Sequence, residues 1–289
     1  MPTIRAYVDL MKLRVVELLL VSTLPAMILA KQGLPSFGLA FATIFGGTLA
    51  AGSANAFNMI IEADTDKLMK RTSNRPIVTG VISKVEALVF ASTIGVLSLA
   101  IFRIFTTDLA TLLTAIAIAY YVIIYTMALK KNTSQNIVWG GAAGCAPVLI
   151  GWAAVTNSLS LTAWAFFFVI FFWTPPHFWA LAIKYKDDYE AAKIPMLPVV
   201  AARSVVLKQM WFHTIAMVIS SLAVIVLAGL QWWMYVLALA LGMVYAIQLK
   251  ELNNDSSNYG VVAGKIFQWS ITYLSLYSLT LVVAQLLKA

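Results

Sequence analysis

Two polar segments carry the groups able to do chemistry. The first, NMIIEADTDKLMKRTSNRPIVTGVIS, places Asn58, Glu62 and Asp66 at i, i+4 and i+8. On a helix these positions share one face, and Asp64 points off it. Two carboxylates and a carboxamide stacked this way repel one another unless a cation lies among them. A hard divalent ion such as Mg²⁺ takes oxygen ligands of this kind and completes its shell with phosphate oxygens. Lys67, Lys70, Arg71 and Arg75 follow directly. Arginine presents forked donors that match phosphate. An acidic face followed by a basic run is what a metal–diphosphate site requires. Taken alone, the segment also reads as a solvated loop of mixed charge.

The second segment, KYKDDYEAAKIPMLPVV, begins at Lys184. Lys184 and Asp188 are again four apart, Asp187 adds a neighbouring carboxylate, and Lys193 adds a cation. Pro195 and Pro198 end the helical stretch. With two such clusters on one side of the protein, one holds the metal and the other completes a cage around the diphosphate. Glu62 and Asp66 in the first segment and Asp187 and Asp188 in the second are the candidate metal ligands.

The elements that must position these groups are membrane spans. Of 289 residues, 61% are hydrophobic and 11% charged, against about 25% charged in soluble domains. So few charges cannot cover a water-soluble fold of this size. The apolar runs are long and unbroken, which points to helices rather than the alternating segments of a β-barrel. Nine stretches are long enough to cross the bilayer, at about 13–31, 36–57, 86–106, 108–128, 137–157, 161–182, 209–229, 231–249 and 266–287. The expected fold is an all-α bundle of nine transmembrane helices in one domain, 1–289, with polar loops at about 58–85 and 183–208. Because the loops follow the second and sixth spans, the chain reads as two four-helix pseudo-repeats plus a ninth helix. An N-terminus in the cytoplasm puts 17 of the 20 Lys and Arg residues on the cytoplasmic side, together with both loops. The net charge of +8 then belongs to loops at an anionic membrane face rather than to a nucleic-acid surface. The single cysteine, Cys145, forms no internal disulfide. The N-terminal residues lead directly into the first span with no Ser/Arg-rich transit stretch, which suits a prokaryotic plasma-membrane protein. No span carries a charge near its middle, as ion pumps and many transporters do. A transporter or channel is therefore the more distant alternative. Polar chemistry at one face above an apolar interior suits a substrate with a charged head and a hydrocarbon tail.

The Asn58-xxx-Glu62-xxx-Asp66 pattern followed by MKRTSNRP, and PPHFWALAIKYKDDYEAAKIPMLPVV from Pro175, resemble the two motif blocks of the UbiA-type superfamily of intramembrane prenyltransferases. HFWALAI with IPMLPVV is similar to the haem-farnesylating branch. The resemblance covers nearly the whole chain. Glu62 stands where many members have Asp, and Lys184 stands where a second aspartate pair would begin. The second loop is thereby expected to bind phosphate as much as metal. The resemblance implies farnesyl transfer from farnesyl diphosphate to the vinyl group of haem B, with water completing haem O and diphosphate leaving. It implies Mg²⁺ or another divalent cation as cofactor. Asn58, Glu62, Asp66 and Asp188 would be catalytic, and Lys67, Arg71, Arg75, Lys184 and Lys193 would hold the diphosphate. His177 and His213 are the haem candidates, since imidazole is a usual axial ligand for haem iron; a hydrogen bond between helices is the plainer role for either. Phe57, Trp173, Phe178 and Trp179 are candidates to stabilise an allylic cation. The lipid bilayer is an implied partner, and haem A synthase or a terminal oxidase assembly are candidate protein partners. A sister enzyme prenylating a quinone precursor or a chlorophyll is the nearer alternative.

Overall fold

The computed structural model describes residues 4–254 and 258–288, with side chains for all but residues 14–20 and 254, so Arg14, one of the cytoplasmic cations counted above, has no described side chain. A short helix α1 (Ile4–Met11) precedes α2 (Leu13–Lys31), α3 (Phe37–Asp66), α4 (Lys84–Phe105) and α5 (Asp108–Ala119). The last of these continues as a π-helical segment, Tyr120–Leu129. The second half comprises α6 (Asn136–Thr156), α7 (Leu161–Lys184), the short α8 (Lys186–Ala191) and α9 (Leu197–Val200), then α10 (Arg203–Ala228), α11 (Trp233–Asn254) and α12 (Tyr259–Lys288). Among the described residues eight helices are long and apolar enough to cross a membrane, and Val21–Lys31 of α2 is a shorter apolar stretch. The helices match the nine expected spans. The seventh and ninth begin earlier than the apolar runs do, because the first two turns of α10 and α12 carry the charges of Arg203, Lys208 and Lys265.

Successive spans run in opposite directions, so the connections 67–83, 130–135 and 185–202 emerge on one face. The opposite face has the short links 32–36, 106–107, 157–160 and 229–232. Helix starts there are set by Ser36, Thr107 and Ser160, whose hydroxyls accept from the backbone N–H groups of Leu39, Ala110 and Ala163. On the motif face Ser83 and Glu86 form a reciprocal capping box that starts α4.

Lipid tails are as apolar as leucine, so burial alone does not drive these helices together. Close packing of small residues and buried hydrogen bonds do. Helix α3 shows both against α4. A Cβ on Gly46 would stand 2.9 Å from the Phe102 ring, and one on Gly95 would stand 2.7 Å from the Ser53 hydroxyl. Ser98 donates to the Gly46 carbonyl at 2.7 Å and Ser53 to the Ala91 carbonyl at 2.8 Å. Helices α7 and α10 are the equivalent closely packed pair in the second half. Large side chains such as Val96, Ile116, Ile219 and Leu239 face outward and are more than half exposed, as a lipid-facing surface requires.

Candidate functional site

Helix α3 runs unbroken to Asp66, so Asn58, Glu62 and Asp66 do share a face, and all three are buried. Asp64 is exposed and pairs with Lys67 at 3.1 Å and Lys84 at 3.6 Å. The buried face is met by cations. Lys130 reaches Glu62 Oε2 at 2.6 Å, Arg75 pairs with Asp66, and Lys12 Nζ donates to Asn58 Oδ1 at 3.1 Å. Asn58 Nδ2 donates to Glu62 Oε2 at 2.8 Å and to the Thr126 hydroxyl at 3.2 Å. Burial, and then the charges of Arg75 and Lys130, push the Lys12 pKa well below the usual lysine value. Glu62 Oε1 is buried with no hydrogen-bond partner.

Under this charged layer lies a cavity of about 370 Å³. Asn58, Asp66, Arg71, Arg75, Lys12 and Lys130 line its mouth. Its walls are small and apolar, including Ala50, Ala51 and Ala54 of α3, and Gly140, Gly141 and Gly144 of α6. The π-helical segment contributes Tyr121 and Tyr125 to the wall. Its widened turns let Thr126 donate to the carbonyl five residues back, at 2.9 Å, while its hydroxyl accepts from Asn58. Such segments occur often at functional sites.

The second loop folds over the same mouth. Tyr189, Ile194 and Met196 line the cavity, Asp188 accepts the Arg71 N–H at 3.4 Å, and Arg71 sits 5.9 Å from the Tyr189 ring centre. Lys184, Asp187 and Lys193 are exposed and lie outside the cavity lining, as does Lys67. Asp187 is in the first turn of α8, whereas Lys193 follows that helix's C-cap with a left-handed φ of 53°. Among the described residues, no three Asp, Glu, His or Cys side chains gather at one point. Of the four carboxylates read from sequence, Glu62 and Asp66 share the buried face of α3, Asp188 accepts from the Arg71 backbone, and Asp187 is exposed.

Neither histidine is in the cavity lining, and His177 packs against two lining residues, Trp173 and Phe178. His177 is buried, its Nδ1 2.6 Å from the Ser270 hydroxyl. Its ring lies between Trp173 and Phe267, with centroids at 4.3 and 4.6 Å. His213 donates its Nδ1–H to the Gln209 carbonyl of its own helix, at 2.8 Å, and packs edge-on to Trp179. Trp173 and Phe178 line the cavity; Trp179 is fully buried elsewhere, and Phe57 packs in the α1–α3–α4 cluster. Sequence reading missed Lys12, Lys130, Asn55, Tyr121, Tyr125 and Thr126. Asn55 was accessible in principle, since it precedes Asn58 by three and lies near the same face.

Residues 19–271 match the model of the UbiA prenyltransferase family. The chain belongs to that family. A protoheme IX farnesyltransferase of Streptomyces coelicolor is 46% identical over 99% of this chain and 92% of its own length. One of Paenarthrobacter aurescens is 49% identical over 96% and 88%. In fold, the UbiA prenyltransferase chain superposes on a digeranylgeranylglyceryl phosphate synthase with a TM-score of 0.81 at 15% identity, covering 99% of both chains. A UbiA homolog from Archaeoglobus fulgidus bound to GPP and Mg²⁺ gives 0.66 at 18% identity, covering 96% of this chain and 99% of that one. As a UbiA-family protein with these apolar helices it is a multi-pass membrane protein.

Proposed function

We propose that the protein transfers the farnesyl group of farnesyl diphosphate to a vinyl group of haem B, giving haem O and diphosphate. The observation that carries this is the identity of 46–49% over nearly the full length to protoheme IX farnesyltransferases. The geometry agrees with it: a charged mouth stands over an apolar cavity, as a prenyl diphosphate demands.

The donor set suits Mg²⁺. Such an ion binds through one or two carboxylates and takes its other oxygens from phosphate and water. Glu62 and Asp66, with Asn58 beside them, would hold it, and the unpartnered Glu62 Oε1 is a ligand in waiting. Bound there, Mg²⁺ would neutralise charge on the leaving diphosphate. Arg71, Arg75 and Lys130 supply the remaining positive charge and orient the head group, and Lys12 holds Asn58 by a hydrogen bond. As the C1–O bond breaks, the terminal vinyl carbon of haem bonds to C1. Water then adds to the cation left on the porphyrin side, becomes the hydroxyl and releases a proton. The walls keep water away from the allylic cation, which would otherwise give farnesol. Trp173, Phe178, Tyr121 and Tyr125 of the lining would stabilise it by cation–π contact. His177 acts on haem from behind Trp173 and Phe178, by fixing those two rings.

The motif face is cytoplasmic, in the plasma membrane of a prokaryote, supported by the basic residues at that face and by the charge of the donor. The lipophilic product passes through the bilayer to haem A synthase or a terminal oxidase assembly. Offering the purified protein haem B, an aromatic quinone precursor and a chlorophyll precursor with farnesyl diphosphate tests the acceptor. Prenylation of haem B alone is expected; preference for another acceptor would overturn the assignment.

A further inference from the structure

The cavity wall on α3 changes character with depth. Each turn beneath Asn58 contributes a small residue, Ala54, Ala51, Ala50 and then Gly47, until Thr43. Gly46, the neighbour of Gly47, is glycine because α4 presses on it; Gly47 instead lies on the cavity side. Gly47 lies 11 residues below Asn58 in the helix, about 16 Å or three turns, and Thr43 one turn further, at about 22 Å. An extended isoprene unit is about as long as one helical turn, about 5 Å. Three units starting at the charged layer therefore end beside Gly47, and a fourth would reach Thr43.

Thr43 is almost completely buried, and Thr114 of α5, also in the lining, is fully buried. Their hydroxyls donate to the Leu39 and Ala110 carbonyls, each at 2.8 Å. The deep end is thus closed by side chains whose polar atoms are already satisfied, and it offers a hydrocarbon terminus no unpaired group to desolvate. Ile150 of α6 lines the same region.

We propose that α3 measures the prenyl chain: Gly47 leaves room for the third isoprene unit, and Thr43, with Thr114, blocks a fourth. The proposal rests on the assignment of the cavity to a prenyl diphosphate, and it makes Gly47 and Thr43 specificity-determining residues. Filling or opening a hydrophobic pocket by about one side chain changes discrimination roughly 10–100-fold.

The test is direct binding of geranyl, farnesyl and geranylgeranyl diphosphate, with Mg²⁺, to the full-length detergent-purified protein, alongside product masses with haem B. Gly47→Leu is expected to lower the farnesyl-to-geranyl affinity ratio at least about tenfold while geranyl diphosphate still binds. Thr43→Ala is expected to raise the geranylgeranyl-to-farnesyl ratio. Should Gly47→Leu fail to fold, Ala51→Leu, seven residues below Asn58 and about 10 Å deep, is expected to penalise both longer chains. Unchanged ratios in folded variants, or equal weakening of all three donors, would overturn the ruler. Wild-type protein that ranks the donors by length but makes no farnesylated haem would leave the ruler standing and remove the functional reading. Product formation with ratios insensitive to all three variants would do the reverse.

Discussion

Glu62 carries one oxygen committed to Lys130 and Asn58 and one that is buried and unpartnered, and Asp66 stands a turn further on, paired with Arg75. Glu62→Gln and Asp66→Asn keep shape and remove charge. Each is expected to lower turnover on the order of 10²-fold or more, the scale seen for a preorganised electrostatic group. Asp64→Asn changes an exposed side chain engaged with Lys67 and Lys84 and is expected to leave turnover within about twofold. Steady-state rates of the three variants decide, and equal damage from all three contradicts the single-face arrangement. The face itself was legible, because i, i+4, i+8 spacing fixes it whatever surrounds the helix. Its cationic partners were not, since Lys12 and Lys130 lie 46 and 68 positions from the residues they contact. His177 illustrates the same limit. Its motif marked it as important, and only packing shows that its ring is held between Trp173 and Phe267. His177→Ala should lower the melting temperature by several degrees and weaken haem binding while farnesyl diphosphate binding is kept. Haem binding and turnover equal to wild type in the folded variant would remove the positioning role.

At the scale of elements, α6 is the wall most sensitive to small changes. A Cβ on Gly140 would fall 2.1 Å from the Tyr125 ring and one on Gly141 would fall 2.8 Å from Thr174, whereas one on Gly144 meets nothing within 4 Å. All three line the cavity. Gly141→Ala is expected to destabilise, by about 1–3 kcal/mol for overpacking. Gly144→Leu should fold like wild type and lose turnover, because its side chain fills ligand space about one turn beneath the charged layer. Melting temperature and rate measured together separate the two; a Gly144→Leu enzyme of normal activity contradicts the cavity assignment. The spans were readable from apolar length alone. The π-helical segment was not, because a widened turn leaves no mark in hydropathy, and it is this turn that brings Thr126 to Asn58.

For the whole molecule, the alternation of nine spans and the bias of Lys and Arg already placed both motif loops on one face, and the fold bears out the common face. What the chain order did not reveal is the unequal use of the two loops. The first supplies Arg71 and Arg75 to the cavity; the second covers its mouth with Tyr189, Ile194 and Met196, while Lys184 and Lys193 stay in solvent. A cysteine at the exposed Asn74, in a Cys145→Ser background, is expected to react with a membrane-impermeant reagent only from the cytoplasm; labelling from outside would reverse the topology.

The central claim is tested most directly by incubating the purified protein with Mg²⁺, farnesyl diphosphate and haem B and weighing the haem products. The expected result is a haem O mass accompanied by one diphosphate released per haem consumed, present with wild type and nearly absent with Glu62→Gln. Unmodified haem B alongside a folded protein that binds farnesyl diphosphate, or haem O formed equally well by Glu62→Gln, would contradict it.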